Sequence, residues 1–133
     1  MTQQEWKIAE EKIKADYDGC ELLVDGYHVT LHMEPMDAYK NIIVVYVDGK
    51  CNMKWCLEDC EERRRFCCAH KRSLIKTKKQ REALKGLSKK SQEAVRERAS
   101  YYAYLPWWSS FAPLKRHLIA NNASIELARE DKL

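Results

Sequence analysis

Five cysteines and a histidine fall within one short stretch, at Cys51, Cys56, Cys60, Cys67, Cys68 and His70. These residue types bind soft metals or, as thiolates, act as nucleophiles. On one continuous helix, Cys56, Cys60, Cys67 and His70 would share a stripe while Cys68 pointed away. Cys60 and Cys67 would still stand about 10 Å apart along the axis, whereas zinc holds each thiolate at about 2.3 Å, so one straight helix cannot gather all four. A zinc site would instead draw on Cys51, Cys56 and Cys60, completed by Cys20, His28 or His32. The spacing C-x4-C-x3-C matches no zinc signature, and cysteine also serves as a small apolar side chain packing a helix seam. Arg63, Arg64 and Arg65 would supply the positive potential a nucleophilic thiol needs, but no Asn or Asp stands in an orienting motif.

The second concentration is of charge. Residues 63–98 carry fourteen Lys or Arg against three acids, a net of +11, while residues 1–62 are net −8 and the whole 133-residue chain only +4. An ordinary solvated helix interleaves both signs; here few acids lie at i,i+4 to neutralise the cations. The pattern therefore points to a polyanionic partner gripped by Arg63, Arg64, Arg65, Lys71, Arg72, Lys76, Lys78, Lys79, Arg81, Lys85, Lys89 and Lys90. An aromatic run follows at Tyr101, Tyr102, Tyr104, Trp107, Trp108 and Phe111. Of these, Tyr101, Tyr104, Trp107 and Trp108 are candidates to stack on bases or anchor a protein partner. The same side chains are also needed to fill a small core, and only one of Trp107 and Trp108 is assigned to the interior.

Other chemistries find no residues to carry them. The four glycines, at 19, 26, 49 and 86, read as turns or helix breaks, so no phosphate loop is present. Neither a G-x-S-x-G elbow nor an H-E-x-x-H helix occurs. Glu58, Asp59, Glu61 and Glu62 sit where a helix dipole favours acids, which explains them better than acid–base catalysis. The chain is read as non-catalytic. Its start is charged and its longest apolar run, 42–47, is too short to cross a bilayer, so a soluble, cytoplasmic protein with reduced thiols is expected.

The elements that must position these residues are an α+β set within one domain, an acidic half over 1–62 and a basic helical half over 63–133. A helix is predicted over 2–15, with Thr2 and Glu5 spaced as a capping box. Strands follow over 20–24, 27–33, 41–47 and 51–55, joined at Asp25-Gly26 and Asp48-Gly49, dipeptides suited to tight hairpin turns. Strand 27–33 alternates apolar and polar residues; strand 41–47 is apolar at both parities and should lie centrally. Helices are predicted over 57–85 and 89–104, broken at Gly86, and over 113–121, with an unassigned tail. The first helix should cover one side of the sheet and the later helices the other.

The expected function is a non-catalytic binder of nucleic acid or a nucleoprotein complex through the basic helical face. The alternative is a small protein-directed inhibitor or adaptor, of the kind phages encode against host defences, anti-CRISPR proteins included, acting through exposed acids such as Asp16, Asp18 and Glu21 or through the aromatic patch. A zinc-stabilised interaction domain is the second alternative. The helix–sheet–helix opening resembles that of double-stranded RNA-binding domains, but the order then continues differently and their loop motif is lacking.

Overall fold

Thr2 and Glu5 close the first helix reciprocally, each backbone N–H donating to the other's side chain at 3.0 and 3.1 Å, so α1 (Gln3–Ala15) begins where the capping box places it. The computed structural model describes residues 1–15 and 18–128; Asp16 and the end of the tail lie outside the described residues. The architecture is α+β, and the chain divides into two compact units, Met1–Cys68 with Tyr104–Leu133, and Ala69–Ala103.

The larger unit is built on an antiparallel sheet. Its first three strands are β1 (Cys20–Val24), β2 (Tyr27–Pro35) and β3 (Asn41–Val47). Asp25 and Gly26 both take positive φ, 46° and 87°, which matches the right-handed twist of the β1–β2 hairpin and sets Leu22 opposite Val29. Asp48 and Gly49 repeat the device after β3, at 52° and 79°. Here the chain returns through a single Val47–Lys50 bridge and then forms α2 (Lys54–Leu57), in place of the strand expected over 51–55. The sheet is completed from far along the chain by β6 (Trp107–Trp108) and β7 (Ile125–Leu127), in the order β6-β3-β2-β1-β7. Gly19 is required ahead of β1: its φ is +75° and a Cβ there would meet Leu31 O at 2.3 Å.

One face of this sheet carries the core. Leu22, Val29, Leu31, Ile43 and Val45 pack with Trp6, Ala9 and Ile13 of α1 and with Phe111, Leu114 and Leu118 of α6 (Phe111–Asn121). Both helices thus share one side of the sheet, with the Trp6 and Phe111 rings 6.1 Å apart, rather than flanking it on opposite sides. On the other face Ile42 and Val44 are also buried, and Trp107 stands opposite Val44 in the β3–β6 register. Burial at both parities along β3 matches its apolar residues at both parities.

The long helix expected over 57–85 does not form. It is replaced by α3 (Glu61–Phe66), β4 (Cys68–Ser73) and α4 (Lys78–Lys85). What ends α3 is a complete set of partners for its last carbonyls. Cys67 N–H donates to Arg63 O at 3.1 Å, His117 Nε2 lies 3.0 Å from Arg64 O, and Asn122 Nδ2 reaches Arg65 O at 3.5 Å. Trp108 Nε1 donates to Phe66 O at 3.0 Å within the core. Three of the four partners come from β6, α6 and the residue after α6.

The smaller unit runs β4, α4, α5 (Lys89–Arg98), β5 (Ser100–Leu105). β4 and β5 pair as a two-stranded ribbon, and Leu74 N–H donates to Ala99 O at 2.6 Å where the strands leave for the helices, so they run antiparallel. The second predicted helix, 89–104, therefore stops at Arg98, and Tyr101, Tyr102 and Tyr104 stand on a strand. Thr77 caps α4 with a full capping box involving Gln80, and Ser88 caps α5 by accepting from Ser91 N–H.

Candidate nucleic-acid interface

Ala69–Ala103 holds eleven Lys or Arg against three acids, a net of +8, so the rest of the chain is net −4. All eleven cations are exposed, and Leu84 is the unit's one buried side chain. Lys71 pairs with Glu97 at 2.9 Å, which pushes the Lys71 ammonium pKa up. Among the described residues no ion pair joins Arg72, Lys76, Lys78, Lys79, Arg81, Lys85, Lys89, Lys90, Arg96 or Arg98 to a carboxylate. Their charge faces solvent uncompensated.

Placement adds to the effect of number. Lys78 and Lys79 open α4, Lys89 and Lys90 open α5, and neither first turn contains an acid. A cation there opposes the positive end of the helix dipole at a cost of roughly 0.3–1 kcal/mol each. Sequences that serve only stability place acids at these positions. An anion drawn to the exposed N–H groups and the lysines would relieve the repulsion.

Three expected members of the interface have partners within the larger unit. Arg64 is held by Asp59 through two hydrogen bonds, which lower the Asp59 pKa. Arg65 joins Asp25, Glu61 and Asn122. Arg63 lies over the Tyr104 ring with its guanidinium carbon 3.8 Å from the centroid. Asp25 is the hub of this arrangement: it accepts from Ala123 and Ser124 N–H at 2.8 and 2.7 Å, and those bonds, with Arg65, hold its carboxyl pKa below the usual value. The acids of the first half are thus partly committed to the fold, Asp25, Asp59 and Glu61 among them.

The aromatic run separates by environment. Trp108 is core and is unavailable to a partner; Trp107 is half-buried, so one of the two is interior as expected. Phe111 is core and Tyr104 is partly buried against it. Tyr101 and Tyr102 are exposed on β5. Tyr102 and Phe111 are the two members of the run outside the four candidates, and of these only Tyr102 is exposed; Ser-Tyr-Tyr-Ala-Tyr-Leu has the aromatic-rich composition of a strand. Arg96 and Arg98 were likewise left out, and the structure exposes both.

No helix carries the cysteine stripe. Cys60 and Cys67 flank α3, and Cys68 begins β4. All six cysteines are thiols. Burial, and then the nearby Cys56, Cys60 and Cys51, push the Cys67 thiol up to about 12, the opposite of nucleophilic activation. Cys51 is raised as well, chiefly by burial. Among the described residues no group of three or more His, Cys, Asp or Glu is placed to hold a metal ion, and no helix is long and apolar enough to cross a membrane. Compared with known proteins, the chain matches no family model, no curated protein and no solved structure.

Proposed function

We propose that the protein is a non-catalytic nucleic-acid binder that grips phosphates through Ala69–Ala103. The observation that carries this reading is the +8 charge of a unit with eleven exposed cations and one buried side chain. So many unpaired cations on 35 residues weaken a small domain by self-repulsion and exceed what solubility requires. Against a polyphosphate the same charges release condensed counterions on binding. Backbone contacts of this kind position a partner without reading its sequence.

Binding of labelled DNA and RNA to the whole protein, followed by fluorescence anisotropy at low salt, tests the proposal. Saturable binding by the wild type, weakened when Lys89 and Lys90 are replaced by Gln, is expected. No binding to either polymer at low salt would remove the proposal. A fold change does not confuse the result, since both lysines are exposed and unpaired, and circular dichroism of the variant should match the wild type.

A further inference from the structure

We infer that the polyanion held by Ala69–Ala103 is a single strand, bound by base stacking on Tyr101 and Tyr102 as well as by phosphate contacts, and bound without regard to its sugar. The inference rests on the phosphate-binding reading and narrows it. A duplex turns its phosphates and groove edges outward and keeps its base faces hidden, so a binder that grips a duplex by its phosphates needs cations more than exposed apolar surface. This unit exposes a good deal. Tyr102 is 55% exposed and Tyr101 42%, with Leu74 at 60% and Leu87 at 44%. A groove of about 350 Å³ lined by Leu74, Ile75, Leu84, Leu87 and Val95 lies within the same unit. Apolar faces bordered by unpaired cations are complementary to a chain that itself alternates flat apolar bases with anionic phosphates.

The ribbon gives the arrangement its detail. Neighbouring residues of a strand point to opposite faces, so Tyr101 and Tyr102 are separate stacking positions, one on each face of β5. Lys71 and Arg72 stand on β4, the strand that pairs with β5, so the ribbon that carries the tyrosines carries cations as well. Stacking on a phenol and pairing with an ammonium or guanidinium are available from any base and either sugar. Preference for a sequence, or for RNA over DNA, is not expected.

The test uses the whole protein with a labelled oligothymidylate, an oligouridylate and a mixed-sequence DNA duplex of the same length, all at one salt concentration. Both single strands should bind with affinities within a few-fold of each other and at least about tenfold tighter than the duplex, as loss of stacking requires. Tyr102→Ala and Tyr101→Ala should each weaken single-strand binding by about 5- to 150-fold, the range of one stacked base, and leave duplex binding unchanged. Tyr102→Phe, which keeps the ring, should restore it. Equal affinity for duplex and single strand, or tyrosine variants that bind as well as the wild type, would overturn the inference and leave the phosphate-binding reading standing. No binding to any of the three probes at low salt would overturn both.

Discussion

Trp108 carries two loads: it fills the core opposite Ile43 and gives its indole N–H to Phe66 O. Trp108→Phe keeps an aromatic ring but leaves that buried carbonyl unpaired, and should lower unfolding free energy in urea by about 1–3 kcal/mol; a loss under about 0.5 kcal/mol would mean the bond is immaterial. Asp25 works at the same scale. Its folded pKa is lowered by the Ala123 and Ser124 N–H groups and by Arg65, so the stability it contributes is present above its ordinary value of 3.8 and is lost as pH falls through the folded value. Asp25→Asn should flatten that acid limb of the stability curve, and an unchanged limb would refute the assignment. Residue roles of this kind were only partly legible in the sequence. Asp25 announces itself as a turn residue because its partner Gly26 is adjacent, but its bonds to Ala123 and Ser124 span 98 and 99 residues. Nothing local marks Arg65 as held by Asp25, 40 residues away, while Lys78 and Lys79, in an equally basic stretch, stay unpaired.

At the scale of elements, α1, the β1–β2 hairpin, β3 and α6 follow from short-range signals: a capping box, two Asp-Gly turns, an alternating strand and an early proline. The elements between α2 and β5 follow from tertiary partners. Residues 57–85 contain no proline and no glycine, so local propensity favours one helix; His117, Asn122 and Trp108 end it at Phe66 by taking its carbonyls. That break converts a predicted cysteine stripe into thiols on different elements, and a second one, the end of α5 at Arg98, puts Tyr101 and Tyr102 on a strand. Caps give a direct test within the small unit. Thr77→Ala removes the acceptor for Gln80 N–H and should cost about 1 kcal/mol. With one buried side chain to hold it, the unit belongs at the low-stability end of the molecule. Amide exchange in α4 should therefore be fast in the wild type, faster in the variant, and slowed by bound polynucleotide. Fully protected α4 amides without ligand would contradict this account.

For the whole molecule, charge segregation is the property that the sequence displays most openly, and the structure sharpens it to +8 on Ala69–Ala103 and −4 on the remainder. Two groups whose pKa values burial shifts, half-buried His117 and buried Cys67, bound the pH range over which the larger unit holds. Burial lowers the His117 pKa from 6.5, so its contribution is present above 6.5 and is lost as pH falls through the folded value. Burial raises the Cys67 thiol from 9.0 to about 12, so its contribution is present below 9.0 and is lost as pH rises from there toward 12. Thermal melts across pH should show a plateau between these limits, and Cys67→Ala should extend it on the alkaline side; identical alkaline limbs would refute the thiol's role.

The measurement that bears most directly on the central claim is the salt dependence of polynucleotide binding by the wild type and by a variant with Lys78, Lys79 and Arg81 replaced by Gln. The account predicts that log Kd rises linearly with log salt for the wild type, and that the variant binds more weakly with a slope smaller by up to about three. Binding that ignores salt, or a variant whose slope and affinity equal those of the wild type, would contradict it.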